Sequence, residues 1–362
     1  MRHYKRINLH TSDMAKARKP RVFVIGMGGT LAATTVKGTW KPGELTQAEI
    51  LKFAPFLKKF FDIEETALFR IDSTNMQPEN WLTLAQTLYY KLKSFDGIVV
   101  THGTDTMSYT AAALSFLIQN LNMPIVFTGS QVIPTHIGSD ANRNLVDAIR
   151  VASTANLAES VIVFNGQILR GNRAKKFRET DFDAFECVGM PPLGKIQQEI
   201  KLTGEQKKRS KIKPKLFNSL EPNVALIKLH PGYSPQRMEY LIDTGIKGIV
   251  LEGYGSGNIP TEKRNIAKTI KKATDQEIPV VITTQCALGS SWVYLYDVGL
   301  KALEAGAIPG HDLLSETALV KLMWVLGQTA KLDKVKKMMK TNYAGEITPG
   351  LNNPKDQALW EF

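Results

Sequence analysis

Short apolar runs alternate with stretches of helical period along this chain, and each run closes on a cluster of glycine, serine, threonine or aspartate. Arg21 to Met27 (RVFVIGM) is continuously apolar apart from its first residue, as expected of a parallel strand buried on both faces. It ends in Gly28-Gly29-Thr30. A second strand, Thr66 to Ile71, leads into Asp72-Ser73-Thr74-Asn75-Met76. A third, Gly97 to Val100, leads into Thr101-His102-Gly103-Thr104-Asp105-Thr106. Behind that tip, Met107, Ala111, Leu114 and Leu117 share one helical face, predicting a helix from Met107 to Leu117. Further helices are predicted from Thr46 to about Phe60, with Thr46 and Glu49 spaced as a capping box, and from Pro78 to about Lys93. Leu31 to Leu45, punctuated by Gly38, Pro42 and Gly43, reads as a surface hairpin or a mobile flap. Pro124 to Thr128 and Ser160 to Asn165 read as strands, with a helix from Ser139 to Thr154 between them. Gly166 to Phe185 is charged and reads as irregular or a hairpin.

A second α/β unit follows a Lys-rich stretch, 201–222, that reads as a linker. Its strands are Val224 to Leu229, Gly248 to Leu251 and Val280 to Thr284. Its helices cover Pro235–Thr244, Thr261–Thr274, Gly299–Ala305, Ser315–Gln328 and Leu332–Lys340. Strands alternating with helices in both halves predict two doubly wound α/β domains, the second smaller. The expected divisions are a basic disordered tail over 1–20, an N-terminal domain over 21–200, the linker over 201–222, and a C-terminal domain over 223–362.

Composition narrows the class. The 362 residues suffice for two cores, and 43% hydrophobic with 22% charged residues is ordinary for a soluble globular chain. No apolar run reaches membrane-span length, and the first twenty residues lack the apolar centre of a secretory signal. Their basic, nearly acid-free character leaves an organelle transit peptide or a simple tail. Cys187 and Cys286 are far apart and in no paired motif, which fits a reducing compartment and argues against disulfides or a thiolate metal site.

The net charge of +12 is unevenly placed. Residues 1–20 hold six Lys/Arg and one acid, and residues 201–215 hold seven and one, so these segments carry +5 and +6 and leave +1 for the rest. The body is nearly neutral. Such segments attract polyanions non-specifically but make no groove, so no specific nucleic-acid partner is expected.

The strand ends decide the chemistry. Gly26-x-Gly28 lacks the third glycine of a dinucleotide fingerprint, since Leu31 stands there, and no phosphate-loop lysine follows. Thr30, Ser73-Thr74 and Thr104-Asp105 would meet where parallel strands bring their carboxyl ends together. The plainer reading of the third turn is a helix start that Asp105 or Thr106 only caps. A cleft of hydroxyls, one carboxylate and glycine-turn N–H groups suits a small zwitterion. It also suits acyl transfer by a threonine whose proton a neighbour such as a lysine accepts. By spacing alone, Lys175 and Lys176 look like ordinary solvated lysines. The six histidines form no metal-binding set, so no metal is expected. His102 reads as structural.

These motifs resemble bacterial-type L-asparaginases, specifically the type I (cytosolic) branch of the asparaginase/glutaminase family. Gly28-Gly29-Thr30 and His102-Gly103-Thr104-Asp105-Thr106 match its two signatures. Asp72 to Met76, Gly129-Ser130-Gln131, Ser139-Asp140-Ala141, Phe182 to Phe185 and Gly253 to Asn258 stand in the family's order. Thr283 to Cys286 and Glu316 to Leu322 resemble the type I branch. The resemblance spans roughly residues 21–349.

It implies hydrolysis of L-asparagine to L-aspartate and ammonia in the cytoplasm, without a cofactor, in a homodimer or homotetramer whose site a neighbouring subunit completes. It implies Thr30 as nucleophile, Thr104, Asp105 and Lys176 as a second catalytic set, and Ser73, Thr74 and Asp105 as substrate ligands. Cys286 matches a position linked to allosteric asparagine binding. No membrane partner is implied. The flap departs from the pattern, because it holds no tyrosine and Trp40 stands about where one belongs. An indole N–H donates but cannot act as a base. Two other readings share the motifs: the related subunit of an archaeal-type Glu-tRNA amidotransferase, and an inactive amino-acid-binding homologue. The first normally carries an extra N-terminal domain, which residues 1–20 are too short to supply.

Overall fold

The computed structural model describes residues 18–349. Most of the expected basic tail and the last residues of the expected C-terminal domain therefore lie outside the described residues.

The larger domain is built on an eight-stranded sheet. Its strands are β1 (Arg21–Gly28), β2 (Asp62–Ile71), β3 (Gly97–Thr101), β4 (Ile125–Thr128), β5 (Ser160–Phe164), β6 (Gln167–Arg170), β7 (Gly194–Ile196) and β8 (Ile200–Leu202), in the spatial order 2-1-3-4-5-6-7-8. The first five are parallel and the last three join antiparallel. Strand β1 is central because its side chains are apolar in both directions. Phe23 and Ile25 enter the core beneath α3 (Pro78–Lys91) and α4 (Met107–Leu117). Val22 and Val24 enter the opposite core, beneath α5 (Ala141–Thr154). This period-two alternation, with helices on both faces, makes the sheet doubly wound.

The predicted helix from Thr46 to Phe60 is two pieces, α1 (Gln47–Leu51) and α2 (Leu57–Phe60). The Thr46–Glu49 capping box forms as expected. Pro55 lies in the break, where it has no N–H to donate and disfavours helical backbone at Ala54. Residues 31–45 contain a short hairpin, Thr34–Val36 against Thr39–Lys41, that exposes Trp40.

The smaller domain is a four-stranded parallel sheet in chain order, β9 (Val224–Lys228), β10 (Gly248–Gly253), β11 (Val280–Thr284) and β12 (Ile308–Pro309). Helices α6 (Pro235–Asp243), α7 (Ile266–Asp275) and α8 (Asp297–Glu304) cover one face. On the other, α9 (Ser315–Gln328) packs against α4, with Phe116 stacked on Trp324 at 5.7 Å. Ten of the eleven α4 residues are buried, which is why α4 carries almost no polar face. The connecting stretch read as a linker is pinned to the larger domain. Lys207 N donates to Glu159 at 2.6 Å, and Arg209 is held by three backbone carbonyls.

A buried ion pair closes the C-terminal end. The Lys321 ammonium on α9 donates to Glu346 Oε1 (2.7 Å) and to the carbonyls of Met339 (2.9 Å) and Thr341 (2.7 Å), so its three donors are used. Glu346 accepts in turn from the N–H groups of Tyr343 and Ala344. The turn so fixed, after α10 (Leu332–Lys340), presents the Ala344 carbonyl to Asn172 and the Gly345 carbonyl to Arg173. Lys321→Met would leave a fully buried carboxylate without its cation. We expect that to cost about 3–5 kcal/mol in urea unfolding, with most of it recovered in Lys321→Met/Glu346→Gln. A single-variant loss below about 1 kcal/mol would contradict this role.

Candidate active site

In a parallel sheet of order 2-1-3-4-5, the topological switch lies between β1 and β3, and ligands sit at the carboxyl ends there. The turn carrying Thr30 follows β1, and the turn carrying Thr104 and Asp105 follows β3.

Missing side chains bring these turns together. Gly28 and Gly29 have φ of 107° and 79°, a region that favours glycine. A Cβ on Gly28 would stand 2.2 Å from the Ile71 carbonyl oxygen, one on Gly29 would stand 2.3 Å from Gly103 Cα, and one on Gly103 would stand 2.6 Å from Ser73 Oγ. The ends of β1, β2 and β3 thus pack with almost no side chain between them. Thr106 Oγ1 ties two of them by donating to the Ser73 carbonyl at 2.7 Å. Thr106 occupies the cap position of α4 without making a capping bond. Neither it nor Asp105 is spent as a helix cap.

Thr30 opens a short 3₁₀ turn, Thr30–Ala32, and is half-buried. Its hydroxyl has no hydrogen-bond partner among the described residues. Thr104 is buried, and Lys176 Nζ donates to its Oγ1 at 2.8 Å and to Asp105 Oδ1 at 2.7 Å. Lys176 comes from a small hairpin, Ala174–Lys176 against Phe185–Cys187, in which Lys176 pairs with Phe185. Strand alternation sends neighbouring side chains to opposite faces. Lys175 accordingly turns away and binds Glu316 on α9 at 2.6 Å. The family resemblance singles out Lys176 of these two lysines, and the hairpin gives the physical reason, since only Lys176 reaches Thr104 and Asp105. Ser73 is buried, while Thr74 is exposed and its hydroxyl donates to Asp72 Oδ1 at 3.0 Å.

A fourth strand end completes the floor. A Cβ on Gly129, after β4, would stand 2.5 Å from the His102 carbonyl oxygen. The Gly129–Val132 loop is held by two polar side chains that the strand-end pattern does not single out. Asp140 accepts from the N–H groups of Gln131 and Val132, and Asn144 donates to the Gly129 carbonyl. Burial pushes the Asp140 carboxyl above its ordinary value, opposed by those N–H donors. Gln47 was also missed. It fills the space beside Gly26, and its amide contacts Thr101 Oγ1 at 3.1 Å. Nothing in a capped helix start marks such a glutamine.

His102 is fully buried and saturated. Nδ1 lies 2.7 Å from the Gly103 carbonyl, and Nε2 lies 2.9 Å from Thr110 Oγ1, which accepts from Trp81 Nε1. The carbonyl requires N–H at Nδ1, leaving Nε2 as acceptor. Burial drops its pKa to about 4, and does the same to His311. Unfolded imidazoles take a proton near 6.5 and these two only near 4, so between those values the unfolded chain binds more protons. Stability contributed by the neutral rings is full above pH 6.5 and is lost as pH falls toward 4. We expect the urea midpoint to drop from pH 7.5 to 5.5, and the drop to shrink in His102→Asn. An unchanged pH slope in that variant would refute the assignment.

Among the described residues, no group of three or more His, Cys, Asp or Glu is placed to hold a metal, and no helix is long and apolar enough to cross a membrane. Cys286 stands exposed after β11, its N–H donating to Thr284 Oγ1 at 3.0 Å.

Known proteins share this fold. The asparaginase N-terminal domain family matches residues 21–208, and the glutaminase/asparaginase C-terminal domain family matches residues 223–339. A glutamyl-tRNA(Gln) amidotransferase subunit of Pyrococcus abyssi is 40% identical over 343 residues, covering 91% of this chain and 77% of that one. L-asparaginase of Thermococcus kodakarensis is 38% identical, covering 91% and 99%. Its solved structure superposes with a TM-score of 0.86 at 37% identity, covering 91% of this chain and 100% of its own. L-asparaginase I of Vibrio cholerae gives a TM-score of 0.81 at 29% identity, covering 91% and 100%.

Proposed function

The chain belongs to the asparaginase/glutaminase family, whose N-terminal and C-terminal domains it carries, and from that premise we propose that it hydrolyses L-asparagine to L-aspartate and ammonia. The observation that carries this reading is the Lys176–Thr104–Asp105 contact set beside the glycine turn that presents Thr30.

In this reading, Thr30 Oγ attacks the side-chain amide carbon. The carbon–nitrogen bond breaks, the threonine proton passes to the leaving nitrogen as ammonia departs, and an aspartyl ester remains. Water then attacks that ester, its hydroxide joins the acyl carbon, and its proton returns to Thr30 Oγ. The Lys176 Nζ–Thr104 Oγ1 pair exchanges protons with the reacting groups. Trp40, an N–H donor only, supplies no base. Asp105 Oδ1 is held by Lys176, and its second oxygen takes the substrate ammonium. Ser73 and Thr74 take the α-carboxylate. No cofactor enters this chemistry.

We place the chain with the cytosolic type I enzymes, supported by the likeness to the Vibrio cholerae L-asparaginase I fold, and as a homodimer or homotetramer in which a neighbour completes the site. Cys286 belongs to this reading as part of an allosteric asparagine site, so Cys286→Ser would flatten any sigmoidal dependence of rate on asparagine.

The 40% identity to an amidotransferase subunit favours a second reading, in which the chain supplies ammonia inside a larger assembly. The test is ammonia release from free asparagine by the purified chain alone. Steady release supports the hydrolase. Release only with tRNA and a partner protein supports the amidotransferase role, and aspartate binding without release supports an inactive homologue.

A further inference from the structure

Lys176 is the last paired residue of its hairpin strand, facing Phe185, and the chain leaves the protein body just beyond it. Phe177 N still donates to the Ala184 carbonyl at 2.8 Å, but residues 177–183 are exposed except for half-buried Arg178. Arg178 ties this tip to its own hairpin, donating to the Asp183 carbonyl at 2.9 Å and pairing with Glu186 at 2.7 Å. The base is anchored separately, through Arg173 to Asp312 at 2.7 Å and Lys175 to Glu316 at 2.6 Å.

One side chain from another segment grips the tip. Gln131 Nε2 donates to the Glu179 carbonyl at 2.8 Å and to the Asp181 carbonyl at 3.1 Å, with the Arg178 carbonyl at 3.5 Å. Both N–H groups of the amide nitrogen are thus used. Among the described residues, no other side chain outside the hairpin hydrogen-bonds to residues 177–183. Gln131 is itself fixed, because its N–H and that of Val132 donate to Asp140 at 3.0 and 3.1 Å. Asn144 donates to both Asp140 and the Gly129 carbonyl. The same loop backs the other half of the catalytic set: a Cβ on Gly129 would stand 3.6 Å from Thr104 Cγ2.

We propose that Gln131 is a positioning residue for Lys176, clamping the hairpin tip to the loop that backs Thr104 and so keeping Nζ on Thr104 Oγ1 at 2.8 Å. Lysine carries its ammonium on a flexible four-carbon stem, so its placement follows the backbone beneath it. A misplacement of about 1 Å costs up to about 100-fold in rate. The catalytic consequence rests on the hydrolase reading; the clamp itself does not.

The test uses Gln131→Leu, which removes the donors, and Gln131→Glu, which keeps the length but puts a carboxylate against carbonyls. Both retain the backbone N–H bond to Asp140, and their circular dichroism should match wild type. In each, kcat for asparagine should fall by about tenfold to 100-fold. Gln131→Leu/Lys176→Met should be no slower than Lys176→Met alone, as for residues that act as a unit. A second arm needs no turnover: brief acetylation with acetic anhydride, followed by fragment-ion mass spectrometry of the peptide holding both lysines. The Lys176-to-Lys175 labelling ratio should rise at least about fivefold in both variants, the size of one lost hydrogen bond. Wild-type kcat in both variants, losses that add in full to that of Lys176→Met, or an unchanged labelling ratio would each overturn the proposal. A wild type that releases no ammonia would sink the hydrolase reading instead, and a raised ratio would still support the clamp.

Discussion

Thr30→Ala is expected to lower kcat for asparagine hydrolysis by on the order of 10⁴-fold or more, because the covalent route loses its only attacking oxygen. The structure makes this substitution unusually clean. Thr30 Oγ1 holds no hydrogen bond among the described residues, so removing it leaves no orphaned donor or acceptor. The turn itself rests on Gly28 and Gly29 and on the Ala33 N–H bond to the Thr30 carbonyl at 3.0 Å, none of which needs the hydroxyl. Substrate affinity and the urea midpoint should stay near wild type. A variant that retained a tenth of wild-type turnover would move the nucleophile elsewhere.

Lys176→Met should lower kcat by about 10³-fold, within the usual range for losing a proton-transfer group. Its ammonium is the shared partner of Thr104 and Asp105, at 2.8 and 2.7 Å. Methionine fills similar space but donates nothing, so Thr104 loses its relay and Asp105 loses the contact that orients it. KM for asparagine should therefore rise as well, through Asp105, whereas Thr30→Ala should leave KM largely unchanged. Lys175→Met serves as the control, since Lys175 reaches Glu316 rather than the cleft. Equal losses from Lys175→Met and Lys176→Met would mean that hairpin anchoring, not the Lys176 Nζ contact, matters.

Much of this was legible in the chain. β1, α4, α9 and α10 lie where apolar runs and helical periods placed them, because the apolar positions of each recur on the face or faces that the fold buries. The helix expected over Thr46–Phe60 broke at Pro55, a local signal that the longer apolar period had outweighed. Thr30, Ser73 and Thr104 could be grouped from strand ends alone. Lys176 enters only through the family resemblance, since composition and period say nothing of which side of a two-stranded hairpin faces the cleft. Gln47 and Asn144 left no sequence signal, because they act by bonding groups from distant segments, and Asp140, part of the Ser139-Asp140-Ala141 motif, gave no sign that it ties down the Gln131–Val132 backbone. The basic stretch after residue 200 looked like solvated charge. Arg209 is instead half-buried across three carbonyls, a role composition does not reveal.

A covalent aspartyl ester at Thr30 is the centre of this mechanism, and trapping it is the most direct test. Wild-type protein would be mixed with isotopically labelled asparagine, quenched in acid during turnover, digested and analysed by mass spectrometry. The peptide containing Thr30 should carry one labelled aspartyl group, absent from Thr30→Ala. Label on the peptide containing Thr104, or steady ammonia release by Thr30→Ala, would contradict the mechanism.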